Sequence, residues 1–109
     1  MNRIKAALDT TGLQFAHYAW VEHPAEFGVY AEDAGRDFEA DDLHAERGTS
    51  GTIDYFTRND DGSIRDTIES ALQGVCGFRL NSIQYENDTG YIHYEWEFWI
   101  YGKADDTGN

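Results

Sequence analysis

The residues best suited to bind a metal ion are His93, Glu95 and Glu97, which alternate along one stretch near the C-terminus. Imidazole nitrogens and carboxylate oxygens are ligands that suit zinc or manganese. Residues two apart on a strand are about 7 Å apart, however, so three of them cannot easily converge on one small ion without a bend. We therefore interpret these side chains as the polar face of a strand, and we expect no metal site and no cofactor.

Other catalytic and binding motifs are incomplete. The acidic series that begins at Asp37 resembles the start of a calcium loop, but its sixth and twelfth positions hold Asp42 and Gly48 instead of glycine and glutamate. The single cysteine, Cys76, stands in an apolar context that favours a buried, unreactive thiol. The sequence contains no nucleophile-elbow, phosphate-loop, dinucleotide-binding or zinc-protease pattern. We therefore predict that the protein is not an enzyme.

Composition restricts the class of protein further. The chain of 109 residues carries 21 acidic and 8 basic side chains, which gives a formal net charge of -13. Such a surface repels phosphate backbones and anionic lipid, so we expect no tight nucleic-acid binding and no membrane association. No signal-peptide core is recognisable, and a single free cysteine suits a reducing cytoplasm. Length and hydrophobic content predict one globular domain over residues 1–109.

Two helices are predicted from apolar residues at helical spacing. The first is short, ends at Thr11-Gly12, and contains Ile4, Ala7 and Leu8. The second has apolar residues at every fourth position: Ile64, Ile68 and Leu72. A capping box formed by Ser63 and Asp66 is expected where it begins, and Gly74 or Gly77 where it ends.

The remaining segments have the composition of strands. We expect residues 13–21 to form a mostly buried strand, followed by strands over residues 27–32 and 49–58. The C-terminal third is predicted to be a long β-hairpin that turns at residues 87–90, with Gly90 at a positive φ. Its returning strand, residues 91–101, alternates throughout and would extend roughly 36 Å, nearly twice the usual length.

These elements predict an α+β fold, in which an antiparallel (mixed) β-sheet with a long C-terminal β-hairpin carries two helices packed on one face. One side of the returning strand is apolar and would contact the helices. The other side would expose Tyr91, Trp99 and Tyr101, which is more aromatic surface than a monomer usually leaves in water. We predict self-association through these residues, although a second packed layer would cover them equally well.

Residues 33–50 differ from the rest of the chain in their charge. The segment carries these acidic residues: Asp33, Asp37, Glu39, Asp41, Asp42 and Glu46. Its only large apolar residues are Phe38 and Leu43, which we add to the predicted interface. We interpret the segment as an exposed acidic loop or β-arm. A solvated loop is the commoner outcome for such a composition, and a projecting contact arm is the functional alternative.

Three segments together resemble the small tail-terminator, or tail-completion, proteins of long-tailed bacteriophages. They are residues 49–56, the second predicted helix with its Ile64, Ile68 and Leu72, and the closing hairpin over residues 80–86 and 90–96. The likeness spans roughly residues 13–101. It depends on the order of the elements and on a few hydrophobic and turn positions.

The resemblance implies a structural virion protein that forms a ring, usually a hexamer, on the head-proximal end of the tail tube. Such a ring ends polymerisation of the tail tube protein and presents a surface to the head-side connector protein. The protein would assemble in the host cytoplasm and reside in the virion. In this family strands of adjacent subunits meet around the ring, and a projecting arm, here residues 33–50, grips neighbouring subunits or the tube. DNA would pass through an acidic ring without being held.

Two other functions fit the sequence. A neck or head-closure subunit of the same particle differs only in where its ring sits. An acidic DNA-mimic inhibitor would use arrayed carboxylates to occupy a nucleic-acid-binding enzyme, and the composition favours it as much as the ring. The clustering of acids in one segment and the regular alternation of aromatic residues in strands are arguments against the DNA mimic.

Overall fold

In the part of the chain that the structure describes, five strands form one mixed β-sheet and two helices pack on one of its faces, which confirms the predicted α+β class. The computed structural model describes residues 3–19, 25–33, 49–59 and 62–100. In chain order the elements are α1 (Arg3–Asp9), β1 (Phe15–His17), β2 (Glu26–Glu32), β3 (Thr49–Thr57), α2 (Ser63–Leu72), β4 (Gly77–Tyr85) and β5 (Ile92–Ile100).

The strand order is β1-β2-β3-β5-β4, so the closing hairpin places β5 inside the sheet and β4 at its edge. Strands β1 and β2 pair in parallel, and every other neighbouring pair is antiparallel. The longest register joins β3 to β5 over nine residues, from Thr49 opposite Ile100 to Thr57 opposite Ile92. The two chain-distant halves of the protein are therefore held together at the centre of the sheet.

The hydrophobic core lies between the helices and one face of the sheet. The helices contribute Ile4, Ala7, Leu8, Ile64, Ile68 and Leu72, and the sheet contributes Tyr30, Ile53, Tyr55, Tyr94, Trp96, Phe98 and Ile100. Trp96 is fully buried, and its indole Nε1 donates a hydrogen bond to Oε2 of Glu69, on α2, over 2.8 Å. This bond ties the second helix to the central strand of the sheet.

The predicted strand over residues 13–21 is wrong in its length and in its burial. Strand β1 contains only Phe15–His17, and the next residue, Tyr18, takes a φ of 76° that breaks the extended backbone. Because β1 is an edge strand, the side chains of His17 and Tyr18 are exposed. The aromatic composition of this segment therefore predicted more burial than an edge position provides.

The predicted capping box of α2 is also wrong. The N-cap residue is Gly62, which has a φ of 91°, and Ser63 is already the first helical residue. At the other end, Gly74 follows the helix with a φ of 80°, whereas Gly77 begins β4. The left-handed conformation at residue 62 explains why glycine, and not a serine cap, stands at the helix entrance.

The β4–β5 turn has the predicted form. The amide of Glu86 donates to the carbonyl of Tyr91, and the amide of Gly90 donates to the carbonyl of Glu86, both over 2.8 Å. Gly90 has a φ of 81°, as expected for its place in the turn. The returning strand itself is Ile92–Ile100, and residue 101 lies outside the described residues.

Candidate functional site

The face of the sheet opposite the helices, here called the outer face, carries an aromatic cluster next to the β4–β5 turn. Phe56 stacks between Phe27 and His93, with ring centroids 4.7 Å and 4.1 Å away. Tyr91 packs edge-on against both phenylalanines, and the Arg58 guanidinium lies 4.1 Å above its ring. The cluster is a packed layer of side chains, so this part of the outer face is shielded from water by the protein itself.

The exposure predicted for Tyr91 is therefore wrong, since only 4% of the residue is exposed. The alternation along residues 91–101 correctly assigned it to the outer side. Alternation does not reveal, however, that β2 and β3 present Phe27 and Phe56 on the same side, nor that Arg58 covers the ring. Tyr91 stabilises the monomer and is not available as a surface contact.

Trp99 is the predicted interface residue that the structure places at the surface. It lies on the outer face opposite Gly77 of the edge strand, and 40% of it is exposed. A β-carbon at residue 77 would overlap the indole ring, so the absence of a side chain there lets Trp99 lie across β4. The indole thus brings an aromatic surface to the edge of the sheet.

Two carboxylates of the outer face, Asp54 and Glu97, have a partner within the protein. Asp54 Oδ1 lies 2.8 Å from His93 Nε2, and Glu97 Oε1 accepts a hydrogen bond from Arg79 over 2.7 Å. The predicted alternation of His93, Glu95 and Glu97 on one side of β5 is confirmed. Within residues 3–19, 25–33, 49–59 and 62–100, no group of three or more histidine, cysteine, aspartate or glutamate side chains is arranged to bind a metal ion.

His93, on the outer face, lies between two carboxylates. Its Nε2 contacts Asp54, and its Nδ1 lies 3.4 Å from Glu86 Oε2 at the start of the β4–β5 turn. The hydrogen bond with Asp54 raises the pKa of His93, and the negative charges of Asp54, Glu86 and Glu95 act in the same direction, while burial opposes them.

Strand β4 is a second surface, which the sequence did not identify. Among the described strands it pairs only with β5, so its other side is an edge. Two of its apolar residues are exposed: Ile83 by 49% and Tyr85 by 64%. A register shift between Leu80 and Ser82 turns them toward the same face as Leu80. The sequence contains a signal for this shift: the apolar residues of β4 stand at even positions before Asn81 (Phe78, Leu80) and at odd positions after it (Ile83, Tyr85).

Most of the predicted acidic arm lies outside the described residues, as do Phe38, Leu43 and Tyr101. The arm residues concerned are Asp37, Glu39, Asp41, Asp42 and Glu46. Asp33 is described, and it is half-buried at the end of β2, where its carboxylate accepts a hydrogen bond from the Ser50 hydroxyl over 3.1 Å. Its amide also donates to the Ser50 carbonyl over 2.7 Å. At the other end of the predicted segment, Thr49 and Ser50 belong to β3, and residues 34–48 lie outside the described residues.

The single cysteine has the surroundings of an unreactive thiol. Cys76 packs against the hydrophobic core, and burial raises its pKa to about 11 although Arg3 lowers it slightly. An open groove beside it is lined by residues that include Val75, Trp99 and Ile100. A thiol with this pKa is almost entirely protonated at neutral pH, so it is a poor nucleophile and a poor metal ligand.

Comparison with known proteins adds no identification: neither a protein-family model nor a curated protein matches the chain. In the described part of the chain, neither helix has the length and apolar character needed to cross a bilayer.

Proposed function

We propose that this protein is a structural virion subunit that forms a ring on the head-proximal end of a phage tail tube. The ring ends tube polymerisation and provides the surface for head–tail joining. Its partners are other copies of the chain, with a hexamer as the expected assembly, the tail tube protein and the head-side connector protein. The proposal rests on the resemblance of the sequence and on the surfaces described above.

The observation that carries the proposal is the long edge of β4. A nine-residue edge strand presents backbone donors and acceptors that can pair with another chain. Proteins that remain monomeric commonly block such an edge with charged side chains, proline, a bulge or a short strand. Strand β4 is long and contains no proline or lysine, and its one charged side chain, Arg79, is paired with Glu97 of β5. Its register shift lies between Leu80 and Ser82, and the apolar residues beyond it stay exposed. Instead it exposes Ile83 and Tyr85, and Trp99 covers its other end. An edge of this kind supports assembly with other chains.

The charges of the outer face favour a ring over the DNA-mimic alternative. A mimic needs carboxylates that are free to engage cationic groups of its target. Here Asp54 and Glu97 are already paired with His93 and Arg79 within the subunit. The net charge of -13 still opposes retention of DNA. This combination suits a ring through which DNA passes.

The proposal is tested by electron microscopy and native mass spectrometry of the purified protein, with and without tail tubes. We expect closed rings that bind one end of the tube and stop its elongation, and no retention of duplex DNA at physiological salt. A ring that binds only the head-side connector would instead support the head-closure alternative. A monomer that displaces DNA from a DNA-binding enzyme would support the mimic.

The double variant Ile83→Lys/Tyr85→Ser tests the role of β4 directly. Because both side chains are largely exposed, we expect it to fold but to lose assembly. Tyr18→Asn is the matched control: Tyr18 is also an exposed aromatic residue, but it follows β1 at the other end of the sheet, and asparagine tolerates its positive φ. If the β4 variant still assembles, the edge of β4 is not the contact between subunits and this part of the proposal is contradicted.

A further inference from the structure

His93 is the only residue in the described ranges whose side chain bridges a sheet strand to the β4–β5 turn through two carboxylates. Its Nε2 lies 2.8 Å from Asp54 of β3, and its Nδ1 lies 3.4 Å from Glu86 at the start of the turn. Phe56 stacks on the imidazole with a centroid separation of 4.1 Å, which restricts the orientation of the ring. The two ring nitrogens therefore face the two carboxylates simultaneously.

The chemistry of the ring makes this bridge dependent on a proton. A carboxylate only accepts hydrogen bonds, and both imidazole nitrogens are donors only when the ring is charged. A neutral ring donates from one nitrogen and presents a lone pair from the other. The contact with Asp54 is the shorter, so a neutral His93 retains that hydrogen bond and loses its attraction to Glu86.

We propose that His93 is a proton-dependent clamp, which holds the β4–β5 turn against β3 while the imidazole is charged and loosens it when the ring is neutral. This device is independent of the proposed ring function. The charged groups that face the ring are Asp54 from β3, Glu86 from the turn and Glu95 from its own strand. Arg58 lies beside the same turn, where its Nε donates to the carbonyl of Thr89 over 2.8 Å.

The hydrogen bond from Arg58 to Thr89 holds the far side of the turn and does not involve His93. Deprotonation of His93 therefore loosens only the side of the turn that begins at Glu86, where the imidazole contacts the carboxylate. The amides of Glu86 and Gly90 close this part of the turn, and their exchange with solvent reports its opening.

The test is hydrogen exchange at the Glu86 and Gly90 amides, corrected for the intrinsic pH dependence of exchange, together with an NMR titration of the His93 ring. Between about pH 5.5 and about pH 8 we expect protection of both amides to fall roughly two- to fivefold, as for a partly exposed ion pair. Glu86→Gln and His93→Gln should abolish this pH-dependent fall. Glu86→Gln is the safer variant, since it leaves the imidazole and its stacking in place.

His17→Gln is the matched control. His17 also contacts a carboxylate, since its Nε2 lies 2.7 Å from Glu32, but it lies on β1, away from the turn, and its loss should leave the fall in protection unchanged. The proposal is overturned if protection in Glu86→Gln falls with pH as in the unmodified chain. It is also overturned if His93 titrates in the folded protein at or below the pH at which it titrates in urea.

Discussion

Trp96 joins the central strand to α2, and replacing it by phenylalanine tests the packing of the whole core. The indole is fully buried, stacks on Tyr94 with a centroid separation of 5.6 Å, and donates to Glu69. Trp96→Phe removes the donor and part of the ring but keeps an aromatic side chain. Glu69 retains its second contact, with Arg65 at 3.1 Å, so the carboxylate is not left alone.

The expected loss is the sum of two effects. The missing part of the ring corresponds to about 1–2 kcal/mol of transfer and cavity free energy. A hydrogen bond to a charged group contributes about 1.5–3 kcal/mol, and we take the lower end because Glu69 is partly exposed and keeps Arg65. The free energy of unfolding should therefore fall by about 3 kcal/mol. A domain of this size has about 5–15 kcal/mol, so the variant remains folded.

Urea unfolding followed by circular dichroism measures this loss. The measurement is made at two protein concentrations, since self-association would make the stability depend on concentration. A double-mutant cycle with Glu69→Ala should give a coupling energy of about 1.5 kcal/mol, whereas Trp99→Phe with Glu69→Ala should give none, because Trp99 lies on the opposite face. A loss below about 1 kcal/mol in Trp96→Phe, or a coupling no larger than that of the Trp99 control, would refute the reasoning.

Three further predictions concern titration, packing and reactivity. The folded pKa of His93 is raised above its unfolded value, so the stabilisation of the fold by its charged ring is complete below about pH 6.5 and is lost as the pH rises through the folded pKa. The difference in unfolding free energy between the unmodified chain and His93→Gln should therefore shrink as the pH rises. A difference that stays constant with pH would contradict this. Gly77→Ala should displace the Trp99 indole, lower stability by about 1–3 kcal/mol and red-shift tryptophan fluorescence, whereas an unchanged spectrum would show that the ring does not lie over β4. Cys76 should react with iodoacetamide at pH 8 roughly 100-fold more slowly in the folded chain than in urea, and equal rates would mean that its thiol is not buried.

The elements that the sequence predicted correctly are those with a local signal. The four-residue repeat of α2, the alternation of β3 and β5, and the glycine at residue 90 each fix local geometry without reference to the rest of the chain. The capping box of α2 is a local error, since Gly62 and not Ser63 takes the N-cap position. The other errors concern positions whose state depends on distant neighbours. Tyr91 is buried because Phe27 and Phe56 arrive from other strands, and β1 is exposed because the topology places it at an edge.

The edge position of β4 could not be read from the sequence for the same reason. The pairing of β4 with β5 can be inferred locally, because the two strands form a hairpin. The strand on the other side of β5 is β3, however, which precedes α2 in the chain, and no local pattern indicates this pairing. The pairing of Thr49–Thr57 with β5 places β5 inside the sheet, and the strand order then leaves β4 last among the described strands. The strongest support for assembly therefore comes from topology and not from the aromatic residues that first indicated it.

The excess negative charge is unevenly distributed between the described body and the rest of the chain. The described residues include eleven acids and five bases, and the remaining residues include ten acids and three bases. In the body, most carboxylates contact a donor: Asp9 with Lys5, Glu26 with Tyr55, Glu32 with His17, Asp33 with Ser50, Asp54 and Glu86 with His93, Glu69 with Arg65, and Glu97 with Arg79. These carboxylates have partners within the subunit, so their presence does not require a nucleic-acid function. If the charge serves to repel DNA, that repulsion would have to come mainly from the acidic residues outside the described ranges. There the ten acids outnumber the three bases by seven.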